Sequence, residues 1–213
     1  MPIDCERLIR VAVLSAVLTG AVSAAADEVI DRVLAVAAGN LIMMSDVRAA
    51  RDFGFVSANA APDPVREILS RLIDRALVLA EVDRYAPPEP SAEAVDRALA
   101  AVRQRFLTPQ AYQAMLARDG VAEKHLRESL REGLRIQAYL DQRFTVAPPT
   151  EDDLGQYYRD HPEAFRQNGA LVAFDQARVE VRQAVVTDRR RALVDDWMAG
   201  LRRRADIVDL YTP

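Results

Sequence analysis

The sequence predicts a mainly α-helical protein: a helical bundle with a long C-terminal helix and a small β-hairpin and strand formed by the two chain ends. Three observations carry this. Half of the 213 residues are hydrophobic and 28% are charged, yet only 6% are aromatic. That balance builds a core from alanine and aliphatic side chains, and it excludes wholesale disorder. Apolar residues recur at helical spacing over most of the chain, in runs opened by Ser, Thr or Asp and closed by Pro or Gly. Strand-like patterning is confined to residues 28–44 and 206–211.

The first segment stands apart. Arg7 and Arg10 give a basic start, and Val11 to Val22 is uncharged and apolar or small. Ser23, Ala24, Ala25 and Ala26 then supply the small residues of a cleavage site, so residues 1–26 are predicted to be a secretory signal peptide cut after Ala24 or Ala26. A spanning helix needs about 20 apolar residues, more than this run provides. A lipid anchor would need a cysteine after the run, and Cys5 precedes it. Cys5 is the only cysteine, so cleavage leaves no thiol and no disulfide, and the core must hold the fold unaided. Residues 27–213 are predicted to form a single domain.

The elements of that domain follow in order. Glu28 to Ala37 and Leu41 to Met44 are apolar runs flanking Gly39-Asn40, a pair that tolerates positive φ, and they predict a β-hairpin turning there. Ser45 is then placed to cap a helix over Asp46 to Phe53, followed by a loop over residues 54–62. Asp63-Pro64 opens a longer helix with Val65, Ile68, Leu69, Leu72, Ile73, Ala76 and Leu79 on one face, ended by Pro87, Pro88 and Pro90. Ser91 caps the next helix, with Val95, Leu99, Val102 and Phe106 in line. Thr108-Pro109 starts a shorter one that Gly120 closes. Ala122 to Phe144 carries Leu126, Leu130, Leu134, Ile136 and Leu140, and Pro148-Pro149 breaks it. Thr150 to Asp153 reads as a capping box with Asp where Glu is usual, opening a helix that stops before Pro162. A short link, Arg166 to Ala173, leads to a helix running to about Arg204. Its apolar face is predicted to be Val181, Val185, Leu193, Trp197 and Leu201. Asp206 to Tyr211 reads as a closing strand, expected to pair with the N-terminal hairpin.

That order resembles the N-terminal chaperone domain of the SurA-type periplasmic family, joined to its C-terminal helix. Asp31-Arg32-Val33-Leu34-Ala35-Val36 looks like the family's opening strand, and Ile42 with Ser45-Asp46 like its hairpin return and first cap. Leu72-Ile73-Asp74-Arg75-Ala76-Leu77 and Leu126-Arg127-Glu128-Ser129-Leu130-Arg131 look like two of its helices. Trp197, Leu201-Arg202 and Ala205-Asp206-Ile207 look like its last helix and strand. Each motif is weak by itself, and their order is what is specific. Relatives carry a parvulin-type isomerase domain between the helix starting at Thr150 and the terminal helix. Here only Arg166–Ala173 occupies that place, too little chain for a folded domain of about 50 residues.

The resemblance implies an ATP-independent periplasmic chaperone that binds unfolded or outer-membrane-bound polypeptide clients, not an enzyme, with no cofactor. The alternatives are a protein related to peptidyl-prolyl isomerases, or a dedicated accessory subunit of an envelope export or assembly machine. The residues themselves agree with a non-catalytic role. His125 and His161 are the only histidines. No phosphate-binding glycine loop or G-x-S-x-G elbow is present. Asp152-Asp153 and Asp195-Asp196 are sequence neighbours, which point apart on a helix and suit acid/base work poorly. Arg189-Arg190-Arg191 and Arg202-Arg203-Arg204 are interleaved with carboxylates in a chain of net charge −4, so they read as solvated helix faces and no nucleic-acid partner is expected. Met43, Met44, Phe53 and Phe55 form an apolar cluster at the hairpin exit. Methionine and phenylalanine suit a surface that accepts varied apolar partners. They are the candidate client-binding residues, with core packing as the competing reading.

Overall fold

The N-terminal sheet begins with a hairpin whose turn sits one residue earlier than its sequence suggests. The computed structural model describes residues 31–56 and 61–213. The signal-peptide expectation for residues 1–26 lies outside the described residues, as do residues 28–30 of the first strand run and 57–60 of the loop. Strands β1 (Val33–Ala37) and β2 (Asn40–Met43) pair antiparallel, with Ala37 opposite Asn40 and Ala35 opposite Ile42. The turn residues are therefore Ala38 and Gly39, at φ 50° and 78°, and not Gly39-Asn40. Left-handed backbone at an alanine costs about 1–2 kcal/mol. The register it permits buries Ile42 beside the fully buried Leu34 and Ala35, and one buried isoleucine contributes about 1.5–3 kcal/mol. Packing outweighs the local turn preference.

The first helix, α1 (Met44–Asp52), starts two residues early. Asp46 accepts the Met43 N–H at 2.8 Å and so caps the helix from within its first turn. Ser45 is not the cap: its N–H donates to Asp31 at 3.1 Å and its hydroxyl donates to the same carboxylate. Asp31 thus holds the start of α1 from the other side of the hairpin. Helix α2 (Pro64–Tyr85) opens as predicted, with Asp63 accepting the Arg66 N–H at 2.9 Å. Helices α3 (Ala92–Arg103) and α4 (Pro109–Asp119) start at Ser91 and Thr108, which accept from the third residue on at 3.2 and 3.1 Å. Gly120 ends α4 at φ 66°. Helix α5 (Glu123–Arg143) follows. In α6 (Glu151–Asp160) the predicted box is complete, with Thr150 and Asp153 each accepting the other's N–H.

The segment read as a link is a small structure of its own. A 3-10 turn, Pro162–Phe165, leads into strands β3 (Arg166–Gln167) and β4 (Ala170–Leu171), which pair around Asn168-Gly169 at φ 51° and 82°. Helix α7 (Phe174–Arg204) then runs for 31 residues, about 46 Å at 1.5 Å per residue. Strand β5 (Ile207–Asp209) returns to β1, giving a three-stranded sheet in the order β2-β1-β5.

Three apolar clusters hold these elements together. The largest joins Leu34, Ile42 and Val47 to the inner face of α2, with Tyr139 of α5 and Leu201 of α7. A second gathers Phe53, Leu99, Val102, Tyr112, Leu116 and Leu126. The third packs Leu154 and Phe165 against Ala177, Val181 and Val185. Helix α7 therefore serves two clusters, one at each end. Leu193, predicted on its buried face, is 48% exposed, because it lies on the stretch between the two clusters.

Candidate functional site

The four candidate residues at the hairpin exit do not form one surface. Phe53 is fully buried in the second cluster, its ring 5.9 Å from that of Phe106 and 6.2 Å from that of Tyr112. It has no surface to offer a partner. Met43 is half-buried on β2, and Met44 is half-buried against the main cluster. Phe55 alone is exposed, at 37%. The chain between Phe53 and Phe55 is pinned, since Arg105 donates to the Phe53 and Gly54 carbonyls at 2.6 and 2.9 Å.

The ring of Phe106, which lies on Phe53, carries the apolar character outward. Phe106 follows the end of α3, beyond the helical face predicted for it, and with Leu107, Pro109 and Tyr112 it lines a shallow cavity of about 400 Å³ rimmed by Arg103 and Gln104. Leu107 is wholly exposed. The walls are stiff. Tyr112 packs edge-on to Phe106 at 5.5 Å and donates its hydroxyl to Glu123 at 3.0 Å. Arg103 donates to the same carboxylate at 2.6 Å. That hydrogen bond from Arg103 holds the Glu123 carboxyl below its ordinary range, while burial pushes the Tyr112 phenol up. Glu123 therefore stays an acceptor and Tyr112 a donor at neutral pH. The sequence contained a signal for this site: Phe106-Leu107 is an apolar pair placed between a helix end and the next cap, where no helix is available to bury both.

The polar side chains considered for chemistry are occupied elsewhere. His161 stacks on Tyr157 at 4.1 Å with its Nδ1 3.0 Å from the Tyr157 carbonyl oxygen, and His125 is exposed. Asp153 caps α6 and accepts from Arg189 at 2.7 Å. Arg190 pairs with Asp141, Arg191 with Asp188, and Arg202 with Asp74. Arg189, Arg190 and Arg202 therefore tie α7 to α6, α5 and α2, whereas the Arg191 pair lies within α7. Among the described residues there is no group of His, Cys, Asp and Glu able to hold a metal ion, and no helix is long and apolar enough to cross a membrane.

No family model and no curated protein matches the chain. Among solved structures it is similar to a chain from the study of the virulence factor PEB4 and the periplasmic protein Cj1289, described as two structurally related SurA-like chaperones of Campylobacter jejuni. The identity is 12%, the alignment covers 84% of this chain and 99% of that one, and the TM-score is 0.43.

Proposed function

We propose that the protein is an exported, ATP-independent chaperone that shields unfolded or outer-membrane-bound polypeptides on shallow apolar surface. The observation that carries this reading is the Phe106–Leu107 site: a wholly exposed leucine beside an apolar cavity whose walls are held by buried rings and an ion pair. A lone exposed leucine is ordinary; one mounted on a rigid apolar recess offers a place for any large side chain. Burying one such side chain contributes about 1.5–3 kcal/mol, against about 8 kcal/mol for micromolar affinity. A client is thus held by several weak contacts and leaves without an energy source. Phe55 and the half-exposed Met43 and Met44 offer further apolar surface, while Phe53 supports Phe106 from below.

The sequence supports the same reading through the order of SurA-type motifs and through the leader-like residues 1–26, which favour export to the periplasm. Between Phe165 and Phe174 the chain has room only for a hairpin of two-residue strands, so no prolyl-isomerase activity is expected. The test is light scattering from a chemically unfolded protein diluted into the chaperone. Leu107→Asp should leave the melting midpoint unchanged, because the side chain is wholly exposed, and should weaken aggregation suppression several-fold. Unchanged suppression would overturn the proposal. A pull-down from the envelope fraction separates a general chaperone, with many unfolded clients, from an accessory subunit with one stoichiometric partner.

A further inference from the structure

A second recess lies where the end of α2, the last turns of α5 and the later part of α7 converge. It has a volume of about 260 Å³ and is lined by Tyr85, Pro87, Tyr139, Gln142 and Arg143. That is slightly below the range for small-molecule pockets, and it suits one or two side chains of a longer ligand. Around it stands an aromatic set: Tyr85 and Tyr139 at 5.7 Å, Tyr139 and Trp197 at 6.0 Å, Phe144 and Trp197 at 5.3 Å. The Arg143 guanidinium carbon lies 5.6–6.0 Å from all four ring centroids.

Two groups lining this recess have little to partner but each other. Tyr139 is only 5% exposed, and its hydroxyl makes no well-formed hydrogen bond among the described residues, with the Arg143 guanidinium close enough to act on it. Native proteins pair nearly all such groups, so an orphan asks for an explanation. Burial pushes this phenol above its ordinary value, so at neutral pH it remains an O–H and can donate. Arg143 is exposed and makes no ion pair among the described residues; it meets the Tyr139 hydroxyl and the four rings. The adjacent arginine Arg135 meets Asp83 and Glu89, and Arg190 meets Asp141. The nearest carboxylate acting on Tyr139, Glu81, is already paired with Arg84 at 3.0 Å. The recess therefore presents a forked cation and a hydroxyl donor beside apolar faces. A planar anion with two oxygens matches a guanidinium fork, and the Tyr85 and Pro87 faces suit an apolar group next to that anion.

We propose that this recess binds a carboxylate of an extended polypeptide together with an adjacent aromatic or large apolar side chain. Arg143 takes the carboxylate, Tyr139 donates a second hydrogen bond once the flexible Arg143 side chain moves toward the ligand, and Tyr85 with Pro87 receives the neighbouring side chain. This names the client chemistry and rests on the chaperone reading. The carboxylate comes either from a chain terminus or from an acidic side chain, which the probes below separate.

Trp197 is the only tryptophan, and Arg143 lies 5.6 Å from its ring centroid, so its emission reports on the site directly. The full chain is titrated to millimolar concentration with Gly-Ala-Phe carrying a free carboxylate, with its C-terminal amide, and with amidated Gly-Glu-Phe. Calorimetry follows the same additions. The free acid should bind saturably and the Gly-Ala-Phe amide at least tenfold more weakly. Binding of amidated Gly-Glu-Phe assigns the site to acidic side chains as well, and its failure to bind assigns it to chain termini. Arg143→Gln should weaken acid binding at least tenfold. Tyr139→Phe should weaken it about threefold while leaving the melting midpoint at or above that of the native chain, because it deletes an unpaired hydroxyl; a purely structural Tyr139 would not affect peptide affinity. Acid and amide binding alike, no heat or emission change with the acid, or full affinity in Arg143→Gln overturns the proposal. Aggregation suppression separates the two claims. If it persists while the acid fails to bind, only this inference falls; if it is absent while the acid binds, only the chaperone reading falls.

Discussion

Ending the chain at Ala173 removes α7 and β5 and should abolish cooperative folding. Leu201 is buried in the main cluster, and Trp197, Met198, Ile207 and Tyr211 are partly buried against it. Full burial of one such side chain is worth about 1.5–3 kcal/mol, so Leu201 and the four half-buried neighbours, each at half that value, together contribute about 5–9 kcal/mol. That matches much of a typical total stability of about 5–15 kcal/mol. The truncation also strips Ala177, Val181 and Val185 from the third cluster. It frees one edge of β1, which then invites aggregation through unpaired backbone. The assay is thermal melting followed by circular dichroism, with three single substitutions to apportion the loss. Leu201→Ala should cost about 2–5 kcal/mol. Val181→Ala should cost about 1.6 kcal/mol, at about 0.8 for each of two lost methyl groups. Leu193→Ala should stay within about 0.5 kcal/mol, as exposed positions do. A cooperative melt of the truncated chain near the full-length midpoint would show α7 to be a separable arm and refute the reasoning.

The pair Phe53 and Phe55 should separate cleanly. Phe53→Ala should cost about 3–5 kcal/mol in a denaturant melt and also weaken aggregation suppression by withdrawing support from Phe106, whereas Phe55→Ala should change stability by less than about 1 kcal/mol. Asp153 gives a pH dependence with a defined sign. Hydrogen bonds from Arg189 first, then from the Thr150 backbone, lower its carboxyl from 3.8 to about 2. Its support for the start of α6 is therefore fully present above pH 3.8 and lost as pH falls through about 2. Amide exchange in α6 should be faster in Asp153→Asn than in the native chain at pH 7, and the two should converge near pH 2. Intact mass of protein purified from the envelope should correspond to a chain beginning at Ala25 or Asp27; a mass that retains Cys5 would contradict export by cleavage.

What the sequence revealed and what it hid divide along physical lines. The starts of α2, α3, α4 and α6 were legible because Asp63, Ser91, Thr108 and Thr150 each bond within three residues. The start of α1 was not, because Ser45 is engaged by Asp31 14 residues away, and no local rule identifies such a partner. The hairpin turn slipped because Ile42 burial, a tertiary quantity, outweighed a local preference. The Arg166–Ala173 segment read as a plain link because the two-residue strands flanking Asn168-Gly169 are too short to show alternation. At the candidate site, composition drew attention to Met43, Met44, Phe53 and Phe55, yet it could not say which faces a neighbour. Phe53 is core because α3 and α4 close over it, and Leu107 is surface because, among the described residues, the chain between those helices has nothing above it.

An exposed leucine next to an apolar cavity has every incentive to fold into it. The restraint is the start of α4. Thr108 precedes a proline, which disfavours helical backbone, and it sits extended at φ −143° and ψ 155°. Its hydroxyl accepts the Ala111 N–H at 3.1 Å, which fixes the direction in which Leu107 leaves the helix. The cap therefore holds Leu107 out as well as starting α4. Thr108→Ala should cost about 1 kcal/mol, the usual loss for such a cap. It should also let Leu107 settle into its own cavity, weakening aggregation suppression although every apolar side chain remains. Thr108→Ser keeps the cap and should restore both. Melting midpoint and light scattering measured on the same preparations decide the matter. If Thr108→Ala loses the expected stability yet suppresses aggregation as well as the native chain, the cap starts a helix and does not hold the leucine out.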